Sequence, residues 1–303
     1  MIIASLCNLI LALVAAPLLA GIINKTKACF AGRSGPPVLQ SYYDLLKLFR
    51  KGLVYSRTTT LVFQITPLIC LGCALVAATL MPLGHADSLI HFPGDFILFA
   101  YFLGLMRFFT VSGALDTGSS FEGMGASREV TFSALAEPAF FICMGVLAVQ
   151  TGHSSLSGLF REISGELWSH AGPAMVMSGV ALFILLLAEN CRIPVDDPNT
   201  HLELTMIHEV MVLDNSGPDL GFILYASALK MWLYGSLLIG ILIPVSDIHP
   251  LLNTLLSTAA LLVIAFLVGL VESCMARLKL LHVPQLLLGA TALAILALVF
   301  ALR

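Results

Sequence analysis

The sequence predicts an all-α integral membrane protein of about eight transmembrane helices, and three observations carry that reading. The chain is 58% hydrophobic and only 11% charged, with a mean hydropathy of +0.97, whereas soluble domains carry roughly 25% charged residues. Apolar runs of about 20 residues, the length that crosses a bilayer, recur along all 303 residues. Lysine and arginine gather in alternate connections between those runs.

The runs fall at roughly 2 to 23, 60 to 82, 93 to 112, 129 to 150, 172 to 190, 220 to 244, 252 to 272 and 283 to 302, in a single polytopic domain spanning 1–303. The first has no basic leader and no small-residue cleavage site, so it is expected to stay as a span. The connection 24–59 carries Lys25, Lys27, Arg33, Lys47, Arg50, Lys51 and Arg57, and the next, around His85 to His91, has neither Lys nor Arg. By the positive-inside rule the first connection is cytoplasmic and both termini point outward. Alternation then puts eleven of the fifteen basic residues inside, and leaves Arg161 and Arg303 outside with Arg107 and Lys230 within spans. The Gly-rich run from Gly113 to Ser127 and the acidic stretch 190–219 become cytoplasmic connections as well.

Within 24–59, the apolar positions Val38, Leu39, Tyr42, Leu45, Leu46, Leu48 and Phe49 recur near helical spacing beside Lys47, Arg50 and Lys51. That pattern predicts an amphipathic helix lying on the inner membrane surface, with Pro36 and Pro37 well placed to start it. It either anchors the loop or roofs a cavity and grips a partner. Both readings stay open from periodicity alone.

From Glu189 to Asp219 the chain holds seven of its eighteen carboxylates with one Arg and no Lys, and Pro194 and Pro198 keep the exit from continuing as a regular helix. Arg107, Glu129, Glu137, Glu189, Lys230 and Glu272 sit within apolar runs or at their lips. Each costs about 2.5 to 3.5 kcal/mol at mid-helix on insertion scales. Interhelical pairs that fix packing, such as Arg107 with Glu137, account for part of the set. Glu137 resists that account because Pro138 follows it and frees backbone in mid-membrane. Glu137, Glu189 and Lys230 together suggest stations on a proton path or around buried water. His201 and His208, seven apart and near Glu203 and Glu209, suit a proton-relaying pair better than a metal site. The seven cysteines show no ligand spacing and read as small apolar residues, Cys70 and Cys73 included. Nucleotide-binding loops, nucleophile elbows and iron-sulfur Cys patterns are missing from the sequence, and nothing implies a nucleic-acid partner.

Five stretches carry a resemblance: RSGPPVLQSYYDLLKLF (33 to 49), RFFTVSGALDTGSSFEGMGASRE (107 to 129), AEP (136 to 138), AENCRIPVD (188 to 196) and ESCMARL (272 to 278). In this order the chain resembles the formate hydrogenlyase subunit 4 family, the membrane-hydrogenase branch of the group that includes NADH dehydrogenase subunit 1 of respiratory complex I. The LDTGS and GASRE pieces favour the hydrogenase-type branch over the quinone-reducing one. The resemblance implies an eight-helix subunit of a bacterial or archaeal cytoplasmic membrane, without an active site or cofactor of its own. Its partners would be hydrogenase-like large and small subunits, an iron-sulfur subunit and antiporter-like membrane subunits, which would carry the [NiFe] centre and the iron-sulfur clusters. A bound quinone is possible.

Carried across, Arg33, Gly35 and Pro36 match the family's docking motif, and Gln40, Asp44 and Lys47 its surface helix. Asp116, Arg128, Arg192 and Asp196 complete the expected docking face. The expected proton (or sodium) path comprises Glu129, Glu137, Glu189, Glu203, Lys230, Glu272, His201 and His208. Where the family continues with a run of glutamates, this chain has Asp197, Pro198, Asn199, Thr200 and His201, so the histidines are the candidate substitutes. A coupling and anchoring subunit and a stand-alone ion transporter or channel both remain open. The transporter usually shows an internal repeat, and the first and last four spans do not correspond.

Overall fold

The computed structural model describes residues 2–84, 86–196, 206–244 and 250–303. His201 and Glu203 lie outside these described residues. The order is α1 (Ile2–Phe30), α2 (Gln40–Phe49), α3 (Leu61–Leu80), α4 (Asp95–Asp116), α5 (Ser120–Thr151), α6 (Leu156–Arg161), α7 (Gly165–Glu189), α8 (Gly217–Leu242), α9 (Pro250–Cys274) and α10 (Val283–Ala301). Eight of these helices are long and apolar enough to cross a membrane, and no named strand occurs among the described residues. The chain is a multi-pass membrane protein.

Lipid removes most of the hydrophobic drive between helices, so small residues and close packing decide which ones touch. On α10 the inward stripe Val283, Leu287, Ala290, Ala294 and Ala297 is fully buried, at spacings that keep one face of a helix against α5 and α7. The most enclosed span is α8, with 72% of its apolar window buried. It packs on α1, α3, α7 and α9, which places Lys230 in the interior of the bundle.

Loops sort onto two faces. On one, Leu278 N–H donates to the Pro194 carbonyl at 2.9 Å, Asp214 N–H to Glu122 at 3.2 Å, and Val54 N–H to Ser216 Oγ at 3.3 Å. On the other, Ser5 Oγ donates to the Asp87 carbonyl, Arg161 pairs with Asp87 at 2.8 Å, and Gln150 donates to the Ala301 carbonyl. The connections read as cytoplasmic therefore form one platform, and the chain ends share the opposite face.

Two boundaries differ from the sequence reading. The Gly-rich run 113–127 is not a loop: α4 continues to Asp116, α5 begins at Ser120, and only 117–119 connects them. Its glycines serve contact. A Cβ on Gly125 would lie 2.3 Å from Val210 Cγ1, and one on Gly113 would lie 2.8 Å from Thr66 Oγ1. Likewise α7 starts at Gly165, earlier than its apolar run, because Ser164 caps it by accepting from Leu167 N–H.

The expected surface helix is present as α2. It buries no residue fully and lies on α1 and α8. Tyr42 Oη donates to the Val14 carbonyl at 2.5 Å, and Phe49 rests on Phe222 with ring centroids 5.4 Å apart. Gly21 of α1 leaves the room that the residues before α2 need, since a Cβ there would meet the Val38 carbonyl oxygen at 1.9 Å. Gly21→Ala is expected to cost about 1–3 kcal/mol by overpacking and to lift α2. A lowered Tm in detergent together with new protease cleavage between residues 31 and 59 would report it; an unchanged digest would contradict this docking.

Candidate functional site

The charges expected along the spans converge on Arg107, in the middle of α4. Its Nη1 lies 2.8 Å from Glu137 Oε1 on α5, and its Nη2 lies 2.5 Å and 2.6 Å from the two oxygens of Glu189 at the end of α7. Its Nε lies 3.3 Å from Glu129 Oε1 but makes no hydrogen bond. Lys230 Nζ reaches the other side of Glu189 at 2.8 Å. Two cations thus face three carboxylates in a formal excess of one negative charge. The side chains of Glu189 and Lys230 are 6% and 8% exposed, whereas that of Glu137 is 55% exposed on the flank of the bundle.

The chain leaves α7 through a tight turn that aims its side chains back toward this cluster. Arg192 N–H donates to the Leu187 carbonyl, and Cys191 stands in the left-handed region at φ 51°. Asp196 latches the turn. One of its oxygens accepts from the backbone N–H groups of Ile207 and His208 at 3.0 and 3.3 Å, and the other pairs with Arg277 at 2.7 Å. His208 is thereby held beside Cys191 and Glu129. Burial pushes the Cys191 thiol well above its ordinary range and lowers the proton affinity of His208, so both are neutral at pH 7.

Three cavities follow one another here. The first, about 110 Å³, is lined by Arg107, Glu137, Glu189 and Tyr234. A constriction of about 20 Å³ follows, touching Glu129, Glu189 and Cys191. The third, about 220 Å³, is bordered by Cys191, Arg192, Asp196 and His208 and extends to Ser41 and Asp44 on α2. Glu189 lines the first two, and Cys191 lines the last two. A cavity of about 10–15 Å³ accepts a water when polar groups are present, so even the constriction has room for one.

Glu129, Glu137, Glu189 and Lys230 are therefore brought together, and His208 lies one step beyond them. Glu272 belongs to a second cluster: its side chain is fully buried between Lys27 at 2.8 Å and Arg192 at 3.5 Å. Of the docking set, Arg33, Gly35 and Pro36 are exposed on the platform beside the Glu272 cluster. Lys47 is exposed on α2, and Gln40 donates to Asp44 at 2.9 Å. The others have work inside the chain. Asp116 accepts from the backbone N–H groups of Thr60 and Phe63 and from the Thr60 hydroxyl, Arg128 donates to the Met206 carbonyl, and Asp196 is 2% exposed.

In the sequence Arg107 reads as one half of a pair with Glu137, and Cys191 as a small apolar residue. The signal for the first was present, since a lone arginine in mid-span facing three carboxylates on other spans has few other places to put its charge. Cys191 gave no signal, because φ 51° is invisible in a residue name.

Comparison with known proteins agrees with this architecture. The family model for NADH dehydrogenase matches residues 3–302. Formate hydrogenlyase subunit 4 of Escherichia coli (strain K12) is 30% identical over 290 residues, covering 94% of this chain and 93% of that protein. Hydrogenase-4 component C of the same organism is 30% identical over 308 residues, covering 99% and 96%. A chain in the structure of the membrane-bound sulfane sulfur reductase, an archaeal respiratory membrane complex, superposes with a TM-score of 0.81 at 23% identity, covering 99% of this chain and 98% of that one. With the family model spanning almost its whole length, the chain belongs to the NADH dehydrogenase family of membrane subunits.

Proposed function

We propose that this protein anchors and couples a redox complex: its platform docks a cytoplasmic electron-transfer module, and its buried charges carry protons between that platform and neighbouring membrane subunits. The observation that carries the reading is the run of three adjoining cavities from Glu137 on the flank to Asp44 on α2, joined at Glu189 and Cys191. Packing alone calls for paired charges, not for space beside them.

The excess carboxylate supplies the chemistry. With Arg107 and Lys230 opposite Glu129, Glu137 and Glu189, a proton is the natural third positive charge, and a proton shared among oxygens that also touch water can be passed on. Glu137, half exposed on the flank, is the station nearest a membrane neighbour such as an antiporter-like subunit. His208, neutral at pH 7, and Asp44 lead toward the platform. Glu272, held by Lys27 and Arg192, fixes α9 to the platform beside the path.

Docking is assigned to Arg33, Gly35, Pro36, Gln40, Asp44 and Lys47. Asp116, Arg128, Arg192 and Asp196 hold the loops that present them. The partners expected there are hydrogenase-like large and small subunits with an iron-sulfur subunit, on the cytoplasmic side given the surplus of basic residues in these connections. A quinone ring is the other candidate for the third cavity, whose floor of Ala16, Pro17 and Met231 is apolar.

Gentle detergent purification is expected to bring down a module containing iron-sulfur clusters; an isolated monomer that moves ions unaided would contradict the docking reading. In the assembled complex, Glu137→Gln is expected to slow coupled proton movement by on the order of 100-fold, the scale of losing one positioned proton carrier. Its assembly should stay intact, and loss of assembly would assign Glu137 to packing. Arg107→Ala is expected to cost about 3–5 kcal/mol, because it leaves Glu189 buried with only Lys230 to balance it and Glu129 with nothing. Thermal unfolding in detergent reads that cost, and a Tm equal to the parent's would show that Arg107 is not the hub.

A further inference from the structure

We propose that Glu129, Cys191 and His208 form a binding site for a divalent cation of the zinc type. One donor atom from each of these residues lies within 4.8 Å of the other two. The set mixes a thiol, an imidazole and a carboxylate, which is the borderline-soft combination that zinc prefers over magnesium or calcium. Tetrahedral zinc holds its donors about 3.3–3.8 Å apart at the usual ligand distances, so side-chain rotation is enough to close the site.

Two further observations point to a ligand. His208 Nδ1 is buried without a hydrogen-bond partner, whereas buried polar groups in folded proteins are normally satisfied. Cys191 adopts φ 51°, a conformation that glycine or asparagine would take at less cost. Coordination would displace the proton of the Cys191 thiol to solvent, one per ion bound.

The surroundings suit such an ion. Asp196 is held by Arg277 and accepts from the backbone of His208, so it orients that ligand from behind without competing for the metal. Glu129 is the carboxylate that Arg107 grips least, at 3.3 Å with no hydrogen bond. The third cavity adjoins Cys191 and His208 and leaves a fourth position for water. If the proton path proposed above is correct, the ion would sit at the joint between its constriction and the third cavity, and micromolar zinc would close the path.

The test reads coordination directly and does not depend on ion movement, so its failure is separable from failure of that path. The full chain in detergent, or the complex it is purified with, is loaded with Zn²⁺, desalted, and examined by metal analysis and zinc-edge X-ray absorption. One retained zinc per chain is expected, with one sulfur neighbour at about 2.3 Å and the rest nitrogen or oxygen. In Cys191→Ser the sulfur neighbour should vanish, and in Cys191→Gly, which suits φ 51° and so is expected to fold, retained zinc should fall at least tenfold. Cys274→Ser, at an exposed cysteine, should change neither. A shell without sulfur in the parent chain, or a sulfur that survives Cys191→Ser, would overturn the proposal.

Discussion

The structure depends on the guanidinium of Arg107 being buried among the spans. A charge placed there is tolerated only if other elements bring compensating groups to it, and two helices do: α5 delivers Glu129 and Glu137 eight residues apart, and α7 delivers Glu189 from its last residue. Lys230 then fixes α8 against the far side of Glu189. Four helices are tied through two side chains, Arg107 and Glu189. Such a node specifies which helix faces which in a medium where apolar surfaces do not discriminate among neighbours.

The same node explains why the path proposed here ends at the platform. Glu189 closes α7, and the next residues must turn at once, so Cys191, Arg192 and Asp196 carry the polar character of the span into the loop. Asp196 and Arg277 join that loop to the segment after α9, and Glu272 joins it to α1 through Lys27. The docking face and the buried charges are therefore parts of one connected polar system. A displacement of the platform by a partner would be felt at Glu189 through six residues of chain.

Much of this was legible in the sequence. Eight spans, the surface helix and the clustering of the charged residues follow from apolar run lengths and from the cost of burying charge, which act locally along the chain. What escaped were matters of spatial assembly. The run 113–127 reads as a connection because it falls between two apolar runs, yet Gly113 and Gly125 are small so that Thr66 and Val210 can approach. Asp196 is placed on the docking face by the resemblance, and only the fold reveals that it binds backbone 11 and 12 residues further on. The position of Arg107 within a span signals that its charge must be met by other spans, but which three carboxylates meet it is decided by how α4, α5 and α7 pack.

The central claim is that the interior route holds water, and hydroxyl-radical labelling of the assembled complex tests it most directly. Met231 and Tyr234 are 4% and 6% exposed yet line the third and first cavities, while Trp232, between them on α8, is 2% exposed and packs into the apolar core. Bound water at the cavities predicts strong oxidation of Met231 and Tyr234 with Trp232 protected. Equal protection of all three would mean that the route is dry.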